Sequence, residues 1–501
     1  MIMRLSDLSK AEFPILLASI LIVSFVAKCL IVLFFPQISP DSFIYEKFAE
    51  NILRGCGFSL TDIDVEICTP SVGGYFPGYP FFISVVWTIL GKSTHNLLLV
   101  QALLHSCAIF RLIYCVGKIG LNRAALLIAT FVFSFSPLQM GWSRMVLTDA
   151  LALTCAVWLA AEIVNCFVAR KFKPVGLTLP FVCAVFIRPD SVFLLVFILF
   201  LWVYIENKVK NLLVFLLLST LPISGWMIRN HTVSGYFIKL TADYAPVAPG
   251  YFRWVNTWVV NEHERSMAVF PFWADKNYSA IEIPSSANLS DSEILAARNV
   301  LSLAKVADGG LFPAELDQKF NEMAIYRENN LPAFYFASIS IKRATTLLLN
   351  PFSSWGLPAE IKSTDHNLLF GFLGAPLDNI SPELLVQIKG SAVKILIKAF
   401  SFIYRLMLFS IFIVYVFVWF FEFYNNTLES GYSASGDVRR LSEFILPSSF
   451  CFLFMKLGFF TYLVGLESRY LIQTIPFVEL SVLLILHVRF LRNSKQNLSV
   501  S

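Results

Sequence analysis

Long apolar runs, each near the length of a bilayer-crossing helix, alternate with short polar turns along most of the chain. The first runs from Pro14 to Pro36. Others cover about 96–116, 124–141, 149–168, 211–228, 395–421, 443–464 and 471–488. Two shorter runs, about 175–187 and 191–205, meet at Arg188-Pro189. The pattern predicts an all-α polytopic membrane protein with about ten transmembrane helices and additional juxtamembrane helices. One further apolar stretch, Tyr75 to Leu90, is short and proline-bearing, and reads as a half-inserted helix on the outer side.

The polar turns set the orientation. Lys118 and Arg123, the run Ala169-Arg170-Lys171-Phe172-Lys173, the stretch 206–211 with Lys208 and Lys210, Arg439-Arg440, and the tail residues Arg489, Arg492 and Lys495 fall on one side. Arg4 and Lys10 put the start of the first run on that side too, which the positive-inside rule makes cytoplasmic. Counting 75–90 as a full span would move the later basic turns outside, so it is not counted. Three regions follow: a transmembrane core over 1–229 with a first external loop at 37–95, an external domain of small, mixed structure over 230–392, and C-terminal transmembrane helices over 393–501.

Composition agrees. Hydrophobic residues make up 57% of the chain and the mean hydropathy is +0.68. Charged residues are 15%, against roughly 25% in an average soluble domain, too few to keep a soluble fold dispersed. The net charge of +5 is spread between apolar runs rather than gathered on one face, which argues against nucleic acid as a partner. Most cysteines sit in apolar runs, but Cys56 and Cys68 share the first external loop and can pair in an oxidising compartment. No His or Cys spacing suits a metal, and no cofactor is indicated.

Candidate chemistry concentrates where the first run ends. Ser39-Pro40 breaks it, Asp41 can cap or begin a short helix, and Phe43, Phe48 and Ile52 lie along one apolar side. Gly55 and Gly57 end that helix. A second acid, Asp149, stands at the outer start of an apolar helix, a costly position for a carboxylate and one that often marks function. As plain structure, both acids are helix-start residues favoured by the helix dipole. Asp62, Asp64 and Glu66 form a solvated acidic cluster, with a divalent cation or an acceptor contact as the alternative.

The order Asp41-xxx-Tyr45-(x)9-Gly55, then Pro77-Gly78-Tyr79-Pro80, a Ser-Pro turn leading to Thr148-Asp149, Ile187-Arg188-Pro189-Asp190, the stretch WMIRNHTVSGYF at 226–237 and ESRYLIQTIPF at 467–477 resembles the GT-C membrane glycosyltransferases. It is most similar to their protein mannosyltransferase and aminoarabinose transferase branch. The likeness covers about 13–240 well and the remainder loosely. It implies the GT-C fold and an inverting transfer of a sugar from a polyprenyl-phosphate donor to a glycan, lipid or protein acceptor outside the cytoplasm. It also implies a bacterial inner membrane, with the active site facing the periplasm. Asp41 matches the acidic first-loop position that serves as general base. Glu46, a turn beyond, is the alternative, and Asp149 joins them as a candidate catalytic acid. The leaving group is a lipid phosphate, which needs charge stabilisation, so Arg188, Arg229, Arg144 and Arg469 are candidate phosphate contacts. Tyr45, Tyr79 and Pro80 line the substrate loop. Two departures stand out. Ser42 follows Asp41 where many relatives have a second acid, and Tyr79 precedes Pro80 where aminoarabinose transferases carry Lys. Two other classes compete: an O-antigen ligase or polymerase working through Arg253 or His263, and a lipid or solute transporter using acids such as Glu162 or Glu479.

Overall fold

The computed structural model describes residues 12–62, 64–65, 67–71, 76–205, 208–235, 248–273, 276–284, 287, 289–309, 312–350, 353, 355–359, 382–424, 436–463 and 465–499. Arg4, Lys10, Glu66 and Tyr75 lie outside them. Within the first region the helices are α1 (Glu12–Phe34), α2 (Pro40–Leu53), α3 (Gly78–Leu90), α4 (Thr94–Gly117), α5 (Arg123–Phe135), α6 (Thr148–Ala169), α7 (Pro174–Ile187), α8 (Leu195–Ile205) and α9 (Val209–Ser234).

The external region holds α10 (Pro249–Val255), α11 (Glu262–Trp273), α12 (Asp291–Ala304), α13 (Ala314–Asn330) and α14 (Ala333–Leu349). Last come α15 (Pro382–Tyr424), α16 (Gly436–Tyr462) and α17 (Ile475–Ser499), the last preceded by a 3-10 turn at Ser468–Thr474. Seven of these segments are long and apolar enough to cross a bilayer, which makes the chain an integral, multi-pass membrane protein. Three expected spans are short: α5, α7, and the 189–205 segment formed by a 3-10 turn and α8. The expected mixed external domain is corrected. Its described elements are helices joined by irregular turns, and the only β pairs among the described residues are two isolated bridges, Gln37 with Met145 and Ser59 with Pro70. Its core is aromatic, with Tyr251 stacked on Phe272 at 4.6 Å and Trp254, Trp258, Phe312 and Phe320 around them.

Helix α6 is the hub, packed against α4, α7, α16 and α17. Its small residues Ala152, Ala156, Ala160 and Ala161 are fully buried and let neighbouring backbones come close, the packing that drives helix association in lipid. By contrast α1 and α9 leave Ile15, Ile22, Leu213, Leu217 and Leu221 exposed, as lipid-facing helices do. Helix α3 is 13 residues, about 20 Å, the same length as α5 and shorter than the roughly 30 Å hydrocarbon core. It buries Tyr79, Ile83, Val86 and Trp87 and packs against α2 and α4.

The basic turns gather at one end of the bundle. Arg123 lies 5.5 Å over the Phe13 ring, Arg170 pairs with Asp437 at 3.0 Å, and Arg489 pairs with Glu422 at 2.6 Å. At the opposite end Arg144 donates to the Phe35 carbonyl, Arg188 meets Asp149, and Arg229 donates to the Ser71 carbonyl. Asp41 belongs to this second end.

Candidate active site

The loop after α1 is held by backbone pairing to the segment just before α6. The Gln37 amide donates to the Arg144 carbonyl at 2.9 Å and the Val146 amide donates to the Gln37 carbonyl at 3.2 Å. Ser39, not Asp41, is the N-cap of α2, with Pro40 opening the first turn and Asp41 within it. The Ser42 hydroxyl is fully buried and donates to the Val146 carbonyl at 2.7 Å. An ionised acid there would have no proton to give that carbonyl, so this packing is incompatible with a second carboxylate at 42. Cys56 and Cys68 form a disulfide that closes the rest of the loop.

These ties bring Asp41 to the 3-10 turn before α17. The Arg469 Nη2 lies 3.7 Å from Asp41 Oδ2, and its Nε lies 2.5 Å from Glu467 Oε2. Glu467 also accepts a bond from Arg265 of α11 at 2.9 Å. Burial pushes the Asp41 carboxyl above the ordinary carboxylate value. Arg469 opposes that rise, while Glu467 and Asp149 add to it. Burial would raise Glu467 as well, but Arg469 and Arg265 outweigh it and hold its carboxyl below the ordinary value.

Behind this rim lies a buried charge network. Asp149, 1% exposed, accepts a bond from Arg188 at 2.5 Å, and its other oxygen, Oδ2, has no hydrogen-bond partner among the described residues. Arg188 also donates to Asp190 at 3.1 Å and lies 5.3 Å over the Tyr470 ring. Asp190 in turn accepts from Lys456 of α16, and Lys456 donates to Gln473 at 2.7 Å. Gln473 donates to the Ser191 hydroxyl at 2.6 Å. Tyr45 is buried, and burial first and then the Asp41 and Asp149 charges push its hydroxyl well above the ordinary tyrosine value. It meets Tyr79 edge-on at 5.2 Å, and the Tyr79 hydroxyl donates to Gln101 at 2.7 Å.

The structure therefore assembles Asp41, Asp149, Arg188, Arg469 and Tyr45, with Tyr79 and buried Pro80 as support. Glu46 points elsewhere, beside Glu50, and its carboxyl is raised by burial and by that like charge. Two candidate phosphate contacts are otherwise engaged. Arg144 donates to the Gly356 carbonyl at 2.6 Å and to the carbonyls of Leu357 and Phe35. Arg229 donates to the carbonyls of Ser71 at 2.5 Å and Phe58 at 3.2 Å. Arg253 pairs with Glu328 at 2.5 Å in the external domain, and Glu162 pairs with Arg111 at 2.9 Å. Glu479 is buried and accepts from Ser136, Gln139 and Tyr404. No group of three or more His, Cys, Asp or Glu residues suited to a metal occurs among the described residues.

Asp190, Glu467 and Gln473 lie within motifs quoted from the sequence but were given no role there, and Lys456 and Arg265 were not singled out. Lys456 carried a readable signal, a lone cation inside an apolar run. Comparison with known proteins finds no family model, no curated sequence and no solved structure that matches this chain.

Proposed function

We propose that this protein is a membrane glycosyltransferase of GT-C type that moves a sugar from a polyprenyl-phosphate carrier to an extracytoplasmic acceptor. The reading places about ten helices in a bacterial inner membrane, with three short ones completing their crossings through flanking residues, and sets the site on the periplasmic face. The observation that carries it is the half-exposed Asp41 carboxylate 3.7 Å from the Arg469 guanidinium, at the bundle end opposite the basic turns.

The chemistry follows from those two groups. An acceptor hydroxyl or amine attacks the anomeric carbon, its proton passes to Asp41, and the bond from the anomeric carbon to the phosphate oxygen breaks. The electron pair leaves on the lipid phosphate, whose charge Arg469 meets. Attack opposite the leaving group inverts the anomeric centre. The raised proton affinity of Asp41 suits a base better than an ordinary carboxylate would. Arg188, behind Asp149, contributes positive potential from within the protein.

The test uses purified protein in liposomes, a panel of polyprenyl-phosphate sugars, and an acceptor extract from cells lacking the protein. The wild type should release polyprenyl phosphate with at least one donor, and Asp41→Asn should cut that release about 100-fold, the scale of one lost general base. Full activity in Asp41→Asn removes Asp41 from the chemistry. Donor that crosses the bilayer uncleaved makes the protein a transporter.

A further inference from the structure

The Arg469 guanidinium stands between two acids with different anchoring. Glu467 lies 2.5 Å from Nε as an ion pair, although the Nε–H makes no hydrogen bond among the described residues, and Glu467 is itself held by Arg265, which reaches in from α11 of the external domain. Tyr470 backs the group, its ring 5.6 Å from the guanidinium carbon and stacked on Phe460 at 4.5 Å. Asp41 meets Nη2 at 3.7 Å, too long for a hydrogen bond and close enough for charge attraction. One face of the arginine is thus clamped and the other loosely held. Glu262 of α11 adds a further negative charge felt by both Glu467 and Arg469, so the guanidinium does not want for counter-charge on its anchored side.

Resting on the glycosyltransferase reading, we propose that Glu467 and Arg265 are positioning residues that aim Arg469, and that its guanidinium passes from Asp41 to the donor phosphate when the donor arrives. A phosphate brings at least one negative charge to the same donor group and offers shorter, charge-assisted hydrogen bonds than the present 3.7 Å contact. Taking the cation from Asp41 removes the influence that holds its proton affinity down, so the base strengthens as the leaving group is bound. The external domain enters the reaction through Arg265, which makes the site dependent on how that domain is seated.

The handover predicts an unusual sign. Asp41 competes with the phosphate for Arg469, so Asp41→Asn should bind sugar-free polyprenyl phosphate more tightly, by roughly fivefold, while Arg469→Met should weaken binding about tenfold, the scale of one charged hydrogen bond. In an Arg469→Met background the gain from Asp41→Asn should vanish. Glu467→Gln and Arg265→Met should each weaken binding, Arg265→Lys should recover part of the loss, and Glu467→Gln should cost nothing further once Arg469 is Met. Affinity is read by native mass spectrometry of protein in lipid nanodiscs, with thermal midpoints recorded to set aside misfolded variants. A gain that survives in the Arg469→Met background reflects general repulsion and overturns the handover. A Glu467→Gln variant that binds like wild type overturns the positioning role while leaving the glycosyltransferase reading standing. Wild type that binds no polyprenyl phosphate overturns both.

Discussion

Replacing Asp190 by Ala isolates the buried network beneath the site. The Lys456 side chain is fully buried, and Asp190 is its counter-ion. Arg188 would keep Asp149, but Lys456 would keep only neutral partners, the Gln473 side chain and, at 3.4 Å, the Tyr470 carbonyl. Orphaning one member of such a pair costs about 3–5 kcal/mol. The double variant Asp190→Ala with Lys456→Met removes both charges and leaves Arg188 and Asp149 balanced, so it should regain at least about 2 kcal/mol of that loss. Lys456 also touches the Ser468–Thr474 turn that carries Arg469, so the single variant should lose transfer activity beyond its loss of stability. Unfolding by sodium dodecyl sulfate in mixed micelles, followed by tryptophan fluorescence, measures the stabilities. A single variant within about 1 kcal/mol of wild type, or a double variant whose losses simply add, would show that the network does not act as a coupled buried pair.

Three other outcomes follow from the same structure. A base works deprotonated, so transfer should be full above the Asp41 pKa and fall as pH drops through it. Because burial first, then Glu467 and Asp149, raise that pKa against the pull of Arg469, the acid limb of kcat/KM should lie above pH 3.8, and a rate unchanged down to that pH refutes the assignment. Gly141→Ala should abolish folded yield, since its methyl would sit 2.3 Å from the Gly356 carbonyl carbon and Gly356 itself holds φ +83°; Gly117→Ala, which meets Leu126 at 3.5 Å, is the control that should be tolerated. Arg144→Met should lower stability by about 1–3 kcal/mol through stranded carbonyls yet leave the polyprenyl phosphate affinity of surviving protein unchanged, and a tenfold weaker affinity would restore Arg144 as a phosphate contact.

Much of this was legible in the chain itself. Apolar run length and basic turns gave the helices and the two ends of the bundle, because a bilayer imposes both. Asp41, Asp149, Arg188 and Arg469 were readable as charges at helix ends on one side, and the fold brings them together. Arg144 and Arg229 were not separable from Arg188 and Arg469, since all four sit at similar helix ends and differ only in what distant segments offer them. The acceptors at Gly356 and Ser71 have no signature in sequence, being bare carbonyls of irregular backbone. The external domain was misjudged as mixed because its amphipathic helices are short and its core is built from scattered aromatics rather than a clean period. Of the two places the sequence allows Asp41, cap or first turn, it takes the first turn, because Ser39 fills the cap.

The arginines at this end of the bundle divide by the partners they satisfy, and the division bears on which can meet a phosphate. Irregular backbone buried in the protein needs donors for its carbonyls. Arg144, Arg229, Arg343 and Arg405 each supply such donors. Arg343 reaches the carbonyls of Val259, Thr461 and Asn256, and Arg405 those of Leu348, Asn350 and Ser353. Moving any of them onto a ligand would strand two or more carbonyls with no donor, a cost no single phosphate contact recovers. Arg188, Arg265 and Arg469 instead face carboxylates, so a phosphate exchanges one anion for another and leaves no backbone group bare. Of these, Arg265 is turned to its anchor Glu467, and Arg188 is enclosed by two acids in the buried network. Of these three that leaves Arg469, whose 3.7 Å contact with Asp41 is charge attraction without a hydrogen bond and can be given up.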